Sequence, residues 1–278
     1  MRQSDSLLVP ESVSWFVASN PGPLTLDGTR CYLVGDKRVV LVDPGPAIPG
    51  QLDRLEQLVN GRTVEAICLT HAHADHSGIA MEAAALFGAR VAASADTLWR
   101  RGIAGRALAG GDTVPVGEGA LRLRALEAPG HSADHLVYLL EPGRCVFTGD
   151  LVLGAGSSVV LHPDGEVGAC LASFSRILSL RPSSLYPGHG PPVEDGEARV
   201  RHYRDHRIER HGQVIEAVQA GARTVENVRK LVYGDLAPDL ERAADASIRA
   251  HIVYMREQGS DVSPIAGLDD SSPGPEES

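Results

Sequence analysis

Three histidines and one aspartate lie within six positions of the segment "AICLTHAHADHSG" (66–78): His71, His73, Asp75 and His76. This spacing would scatter the side chains around a helix and alternate them along a strand, whereas a tight loop after a strand can bring them together. Neutral imidazole and carboxylate groups suit Zn²⁺. The segment therefore predicts a loop of metal ligands directly after an apolar strand.

Three later segments place further ligand-type residues after apolar runs. His131 lies in "APGHSADH", Asp150 in "FTGDLVLG" and His189 in "YPGHG". A single histidine in an apolar segment is usually a core residue, and a single aspartate after a strand usually starts a turn. Four strand-to-loop junctions that each carry such a residue favour a metal site. Five histidines and two aspartates suffice for two adjacent ions, with Asp150 as the bridging carboxylate.

The segments around these residues predict a layered α/β fold. A buried strand at 64–70 leads into the histidine segment, and a helix at 78–88 and a strand at 89–94 follow. This order of strand, loop, helix and strand is typical of layered α/β proteins. Hairpins are predicted at 31–43 and 135–150, where two apolar runs flank a turn.

The pattern becomes helical from about residue 196. The spacing of apolar residues predicts three helices, over 197–220, 224–233 and 239–258. The final segment, 259–278, carries five acidic residues and no Lys or Arg, and its Pro, Gly and Ser content predicts disorder. The predicted division is a catalytic domain over 1–198, a helical domain over 199–258 and an acidic tail over 259–278.

Composition and charge disfavour several classes of protein. The net charge is −10, or −5 without the tail, whereas nucleic-acid binders carry an excess of Lys and Arg. No apolar run reaches the ~18 residues of a membrane span, and the N-terminus lacks the pattern of a signal peptide. The four cysteines (Cys31, Cys68, Cys145 and Cys170) lie far apart, which suits reduced thiols in a cytoplasmic protein.

The segment "THAHADHSG" matches the H-x-H-x-D-H signature of the metallo-β-lactamase fold, and His131, Asp150 and His189 stand where later motifs of that superfamily do. The segments "NPGPLTLDGTRCYLVG", "VDPG" and "YPGHGPPV", with the helical C-terminus, resemble the lactamase-β-like protein 2 group. The resemblance implies an α/β fold, an αββα sandwich of two mixed β-sheets flanked by helices. It also implies a small, helical, winged-helix-like C-terminal domain.

The same resemblance implies two zinc ions and assigns their ligands. His71, His73 and His131 would hold the first ion, Asp75, His76 and His189 the second, and Asp150 would bridge them. Iron and manganese suit the same ligands. A hydroxide bridging the metals would attack the substrate, and Asp75 would orient it or move its proton. Hydrolysis would then need no covalent enzyme intermediate.

Three further features have two interpretations each. Asp43, in "LVDPG", would hydrogen-bond the metal loop by resemblance, or start the turn at Pro44-Gly45. His135 would contact substrate or be a hydrogen-bonded core histidine. The run 199–211, with five arginines against two acids, would be a solvated helix face or would grip a phosphate-bearing substrate.

The bond class stays open at this stage, because one fold hosts many chemistries. The resembled group includes RNA-cleaving endonucleases and acyl-carrier-protein thioesterases. The negative net charge disfavours RNA as the substrate. So does the small number of aromatic residues that could stack on bases, namely six Tyr, four Phe and two Trp. Zinc β-lactamases of the common class carry Cys where Asp150 stands, which disfavours antibiotic hydrolysis. We predict a hydrolase of thioester or acyl-type substrates, small or carrier-bound. The alternatives are a single-strand-RNA endoribonuclease and a non-catalytic zinc-bound interaction protein.

Overall fold

The computed structural model describes residues 12–262 and residue 265. Its strands are β1 (Val13–Val17), β2 (Arg30–Gly35), β3 (Arg38–Val42), β4 (Thr63–Cys68), β5 (Arg90–Ala93), β6 (Arg106–Ala107), β7 (Thr113–Pro115), β8 (Arg122–Glu127), β9 (Leu136–Glu141), β10 (Cys145–Gly149) and β11 (Ser184–Pro187). Its helices are α1 (Gln51–Val59), α2 (Ala74–Ser77), α3 (Ala80–Phe87), α4 (Ala95–Arg101), α5 (Val167–Ser179), α6 (Gly196–Gln219), α7 (Val225–Tyr233) and α8 (Pro238–Glu257). None of these helices is long and apolar enough to cross a membrane.

The strands form two mixed sheets. The first has the order β1-β2-β3-β4-β5-β6, antiparallel from β1 to β3 and parallel from β3 to β6. The second has the order β11-β10-β9-β8-β7, in which only β10 and β11 are parallel. Parallel neighbours end at the same edge of a sheet, so residues that follow β3, β4 and β5 lie side by side, as do those that follow β10 and β11.

Large side chains fill the space between the sheets. The rings of Tyr32, Phe147 and Tyr186 contact one another there, with centroids 5.0 to 5.7 Å apart. Apolar residues of α1, α3 and α4 cover the outer face of the first sheet, and those of α5 and α6 cover the second. Strand β2 is buried on both faces, which explains its unbroken apolar sequence. The predicted αββα sandwich is confirmed.

Helix α6 belongs to two cores at once. Val200 and Tyr203, in its first half, pack with α5 and the second sheet, whereas Val214, in its second half, packs with α7 and α8. The predicted domain boundary at residue 198 therefore lies inside this helix. No strand occurs between residues 196 and 262, so the described part of the C-terminal unit is three helices.

The predicted acidic tail lies mostly outside the described residues, as does the N-terminal segment 1–11. The described part of the tail includes Val262 and Ile265, which are both buried against the core of α6, α7 and α8.

Candidate metal centre

The predicted ligands all follow strands that end at one edge of the sandwich. His71 comes three residues after β4, Asp150 directly after β10, and His189 two residues after β11. His131 follows β8. Gly188 allows this close approach, because a Cβ atom there would lie 2.5 Å from both Asp150 Oδ1 and His76 Cε1.

The histidine segment combines a loop with one turn of helix. His71 and His73 precede α2, and α2 itself carries Asp75 and His76. The hydroxyl of Ser77 donates to the carbonyls of Ala72 and His73, which ties the turn back onto the loop. The predicted loop is therefore present at the first two candidate ligands, whereas the last two lie on a short helix.

The side chains of His71, His73 and His131 form the first group. His73 Nδ1 lies 2.9 Å from His71 Nε2 and 3.0 Å from His131 Nε2. The three rings meet edge to face, so their nitrogens point to a common centre.

Asp75, His76 and His189 form the second group, and Asp150 lies between the two groups. His189 Nε2 is 3.1 Å from Asp75 Oδ2 and 3.4 Å from His76 Nε2. Asp150 Oδ1 is 3.2 Å from His76 Nε2, while Asp150 Oδ2 is 3.2 Å from His189 Nε2 and 3.8 Å from His131 Nε2. A carboxylate in this position lies beside side chains of both groups, which is the arrangement that a bridging residue needs.

The outer nitrogens of these histidines contact other parts of the fold. His131 Nδ1 lies 3.0 Å from the carbonyl oxygen of Val159, and His189 Nδ1 lies 3.1 Å from that of Gly28. A ring nitrogen that faces a carbonyl must carry a proton, so in the neutral ring Nε2 is the acceptor, and it is directed at the centre. This is the tautomer that metal binding requires.

Asp43 supports the centre through hydrogen bonds to the histidine segment and the residue before it. This buried carboxylate accepts hydrogen bonds from the backbone N–H and the hydroxyl of Thr70, at 2.8 and 2.7 Å, and its Oδ2 lies 2.9 Å from His76 Nδ1. It therefore joins the end of β3 to the histidine segment after β4. This geometry supports the first of the two interpretations of Asp43.

Two further residues support the site and are not among those predicted from the sequence. Asp134 accepts hydrogen bonds from the backbone N–H of Ala72 and from the hydroxyl of Thr97, at 2.8 and 2.7 Å. Thr29 donates its hydroxyl to Asp75 Oδ2 at 2.8 Å. Asp134 lies in the same "APGHSADH" segment as His131, which is the only sequence signal for it. Thr29 offers none, because its contact spans 46 residues.

His135 lies behind the centre rather than in front of it. It is 1% exposed, its ring stacks on His71 at a centroid distance of 4.8 Å, and its Nε2 accepts a hydrogen bond from the backbone N–H of Asp150. Burial, with the neighbouring charge of His131, lowers its pKa to about 3, so it stays neutral. This placement supports the core interpretation.

The electrostatics of the centre depend on burial and on the paired carboxylates. Burial lowers the pKa of His71 well below its ordinary value. Burial also acts to lower the pKa of His189, but Asp150 and Asp75 outweigh it and raise that pKa to about 10. Burial acts to raise the pKa of Asp75, yet His76 and His189 bring it down to about 2. A metal ion would take the same lone pairs, so metal binding is coupled to proton release.

The donor set fits two divalent ions. Three sets of three side chains each have ligand atoms within 4.8 Å of one another: His71 with His73 and His131, His71 with His76 and Asp150, and Asp75 with His76 and His189. Asp75 Oδ1 is buried, and no hydrogen-bond donor among the described residues reaches it. A buried, unsatisfied carboxylate oxygen is costly unless a cation binds it.

A model of the Metallo-beta-lactamase superfamily matches residues 24–99 and 104–189, which is more than half of the chain. The chain belongs to the metallo-β-lactamase superfamily. Membership, together with the His/Asp cluster, identifies it as a metal-dependent hydrolase. The match ends at His189, so it covers all of the predicted ligands and leaves out the helical C-terminus.

Individual relatives of this metallo-β-lactamase-fold protein extend the match into the C-terminal helices. The "Atrochrysone carboxyl ACP thioesterase" of Aspergillus chevalieri is 34% identical over 239 residues, 82% of this chain and 75% of that protein. The "Beta-lactamase-like protein 2 homolog" of Drosophila melanogaster is 28% identical over 269 residues, 89% of each chain. The predicted resemblance to the lactamase-β-like protein 2 group is confirmed.

Solved structures show the same fold. The metallo-beta-lactamase family protein TTHA1429 from Thermus thermophilus aligns with a TM-score of 0.74 at 24% identity. The alignment covers 91% of this chain and 95% of that one, so it includes the helices after the sandwich.

A cavity of about 190 Å³ opens onto the candidate metal centre of this superfamily member. Asp75, His131, Asp150 and His189 form its floor. Its walls come from the loop before β2 and from the segment after β10, and they are mainly apolar: Pro23, Leu24, Leu26, Leu153, Val159 and Leu161. A small molecule or an extended chain fits such a cavity better than a folded polymer does.

Proposed function

We propose that the chain is a di-metal hydrolase of thioesters or other acyl-type substrates, including acyl groups held on a carrier protein. The observation that carries this proposal is the position of the candidate ligands on the floor of a small, apolar-walled cavity. A carbonyl carbon on an apolar chain fits that environment. The apolar walls would bury the chain, and the carbonyl group would lie against the polar side chains of the candidate ligands. The name of the thioesterase relative from Aspergillus chevalieri supports the same substrate class.

We propose His71, His73 and His131 as ligands of one ion, Asp75, His76 and His189 as ligands of the other, and Asp150 as the bridge. Zinc suits these nitrogen and oxygen donors, and so do iron and manganese. Bound ions supply Lewis-acid polarisation of the substrate oxygen and lower the pKa of water.

Asp75 is the proposed catalytic residue of the chain. Thr29 holds its Oδ2, while its Oδ1 has no hydrogen-bond donor among the described residues. Asp75 also lines the cavity, so its carboxylate can accept the proton of an attacking water.

Direct attack by water fits the state of the cysteines. All four are buried, and burial raises the pKa of Cys31 to about 12 and that of Cys170 to about 11. Thiols with such pKa values are not thiolates at neutral pH, so Cys31 and Cys170 offer no nucleophile, and no cysteine is among the described residues that line the cavity. We therefore propose hydrolysis without a covalent enzyme intermediate.

The basic run 199–211 supports the acyl proposal over RNA cleavage. Arg201 pairs with Glu197, and Arg204 pairs with Asp205. The other three arginines donate to backbone carbonyls inside the fold: Arg199 to Leu153 and Gly156, Arg207 to Ser158, and Arg210 to Val232. Two of the five arginines therefore pair with acids on their own helix and three turn towards the fold, whereas a phosphate backbone needs a row of unpaired cations that face solvent.

A hydrolysis panel on metal-loaded protein tests the proposal. It compares S-lactoylglutathione and acyl-thioesters with single-stranded RNA, and includes His76→Ala, Asp150→Ala and the surface control Asp96→Ala. Thioester turnover that both site variants lose and the control keeps would support the proposal. RNA cleavage with the same pattern would replace it with the endoribonuclease alternative. A protein that binds two metal ions but hydrolyses nothing would favour the non-catalytic alternative.

A further inference from the structure

A second cavity adjoins the one above the metal centre. Its volume is about 260 Å³, and it lies where α6, α7 and α8 meet the catalytic sandwich. The two cavities share the lining residues Pro23, Leu24, Ser157, Ser158 and Val159. Val159, which lines the second cavity, also holds the outer nitrogen of His131 through its carbonyl oxygen. The second cavity therefore begins directly beside a proposed metal ligand.

The C-terminal helices supply an apolar wall to this second cavity, which we call the tail cavity. Tyr233, Leu236, Leu240, Ala243 and Ala244 line it. At about 30 Å³ for each water-sized group, its volume admits roughly eight non-hydrogen atoms. Two neighbouring alanines on α8 leave room that larger side chains would fill.

The tail cavity also contains positive charge with no acidic counterpart among its described lining residues. Arg207 and Arg210 line it together with His206, and no Asp or Glu does. Arg207 is only 4% exposed, its Nε has no hydrogen-bond partner in the described part of the chain, and its guanidinium donates to the Ser158 carbonyl at 2.6 Å. No ion pair joins Arg207 to a carboxylate among residues 12–262. A buried, uncompensated guanidinium is costly, and an anionic ligand offsets that cost.

We propose that the tail cavity binds the part of the acyl group that is remote from the reacting carbonyl, and that it selects an apolar chain whose far end carries a carboxylate. This inference rests on the proposed function, since it names the substrate class of the same site. The reacting carbonyl lies over the metal centre, the chain passes Ser157, Ser158 and Val159, and its far end meets Arg207 and Arg210.

Three thioesters of N-acetylcysteamine test this specificity on the metal-loaded full chain: acetyl, octanoyl and octanedioyl. Ala244→Leu and Leu240→Trp fill the cavity, and each is expected to lower the ratio of kcat/KM for octanoyl over acetyl at least tenfold. Arg210→Met removes a cation, and it is expected to lower the ratio for octanedioyl over octanoyl roughly tenfold. Ile208→Ala, at an exposed position of α6, is the matched control and keeps both ratios.

A binding measurement separates this inference from the proposed function. The affinity of octanedioate relative to acetate, measured by calorimetry on metal-loaded protein, reports the chain beyond the carboxylate that faces the metals. We expect Ala244→Leu and Leu240→Trp to lose this preference. If no thioester is hydrolysed but the preference exists and both variants lose it, the cavity assignment stands and the proposed function fails. If thioesters are hydrolysed and all the ratios match those of Ile208→Ala, the inference is overturned and the proposed function stands.

Discussion

Replacing Asp43 with Asn tests how the fold prepares the metal centre. The wild-type carboxylate accepts two hydrogen bonds from Thr70, and its Oδ2 faces His76 Nδ1 at 2.9 Å. It therefore keeps a proton on Nδ1 of His76, so that in the neutral, metal-binding ring Nε2 is the acceptor. Asn fits the site sterically, and it tolerates the positive φ of 52° at this position.

The side-chain amide of the Asp43→Asn variant can keep the bond from the Thr70 backbone N–H, but its NH₂ group then faces His76. An N–H donor at that position requires Nδ1 to accept, which places the proton on Nε2 and directs it into the metal centre. Loss of a supporting hydrogen bond of this kind costs about 10–100-fold in metal affinity, or about 1.4–2.7 kcal/mol. The ion proposed for Asp75, His76 and His189 is the one affected most, because His76 contacts Asp43 directly, whereas His71 reaches it only through the Thr70 hydroxyl.

Metal affinity is measured by competition with a chromophoric chelator, for Asp43→Asn, wild type and the surface control Asp96→Asn. We expect the affinity of the site around His76 to fall about 10–100-fold in Asp43→Asn and that of the other site to fall less, while the control binds both ions normally. Two equivalents bound to Asp43→Asn with wild-type affinity would refute the tautomer argument and reduce Asp43 to a turn residue.

Three other perturbations have defined outcomes. Gly188→Ala places a Cβ 2.5 Å from Asp150 Oδ1, so elemental analysis should show the loss of at least one metal equivalent; retention of both would contradict the packing argument. Phe147→Ala should lower the free energy of unfolding in urea by about 3–5 kcal/mol, since its ring is 1% exposed between the sheets; a loss under about 1 kcal/mol would mean that the core collapses to fill the space. Burial, then the charge of Arg207, lowers the pKa of His251 to about 2, below its unfolded value of about 6.5, so its contribution to stability is complete above pH 6.5 and is lost as the pH falls. Between pH 7.5 and 5.5 this loss is about 1.4 kcal/mol of the free energy of unfolding, measured in urea at each pH. We expect the free energy of unfolding of His251→Asn to fall by about that much less over the same range. An equal fall in both proteins would show that His251 is not the group responsible.

The elements that sequence patterns predict best are those whose periodicity is long. The three C-terminal helices differ from their predicted bounds by one residue or so at each end, because several turns of apolar spacing define them. Two short elements have no such signal. Strand β1 is five residues at a sheet edge, and α4 is seven residues whose start is marked only by the Ser94 hydroxyl, which accepts from the Thr97 backbone N–H.

The candidate ligands are predictable because each follows a strand, and strand ends converge in a layered α/β fold. The side chains that hold them are harder to find. Asp134 reaches Ala72 across 62 positions of sequence, and Thr29 reaches Asp75 across 46. Such contacts depend on which strands become neighbours, and local spacing carries no information about that. The sequence allows two interpretations of His135, and the fold puts it behind His71, as the core interpretation expects.

The basic run is conspicuous in the sequence for its charge alone, and the structure gives it a different role. Arg199 donates to the carbonyls of Leu153 and Gly156, and Arg207 donates to that of Ser158. The next carbonyl, that of Val159, faces the outer nitrogen of His131. Helix α6 thus holds the segment that both walls the cavity and orients a proposed ligand. The C-terminal helices are therefore part of the framework of the candidate site, and we expect a chain cut before α6 to lose support at that site as well as the tail cavity.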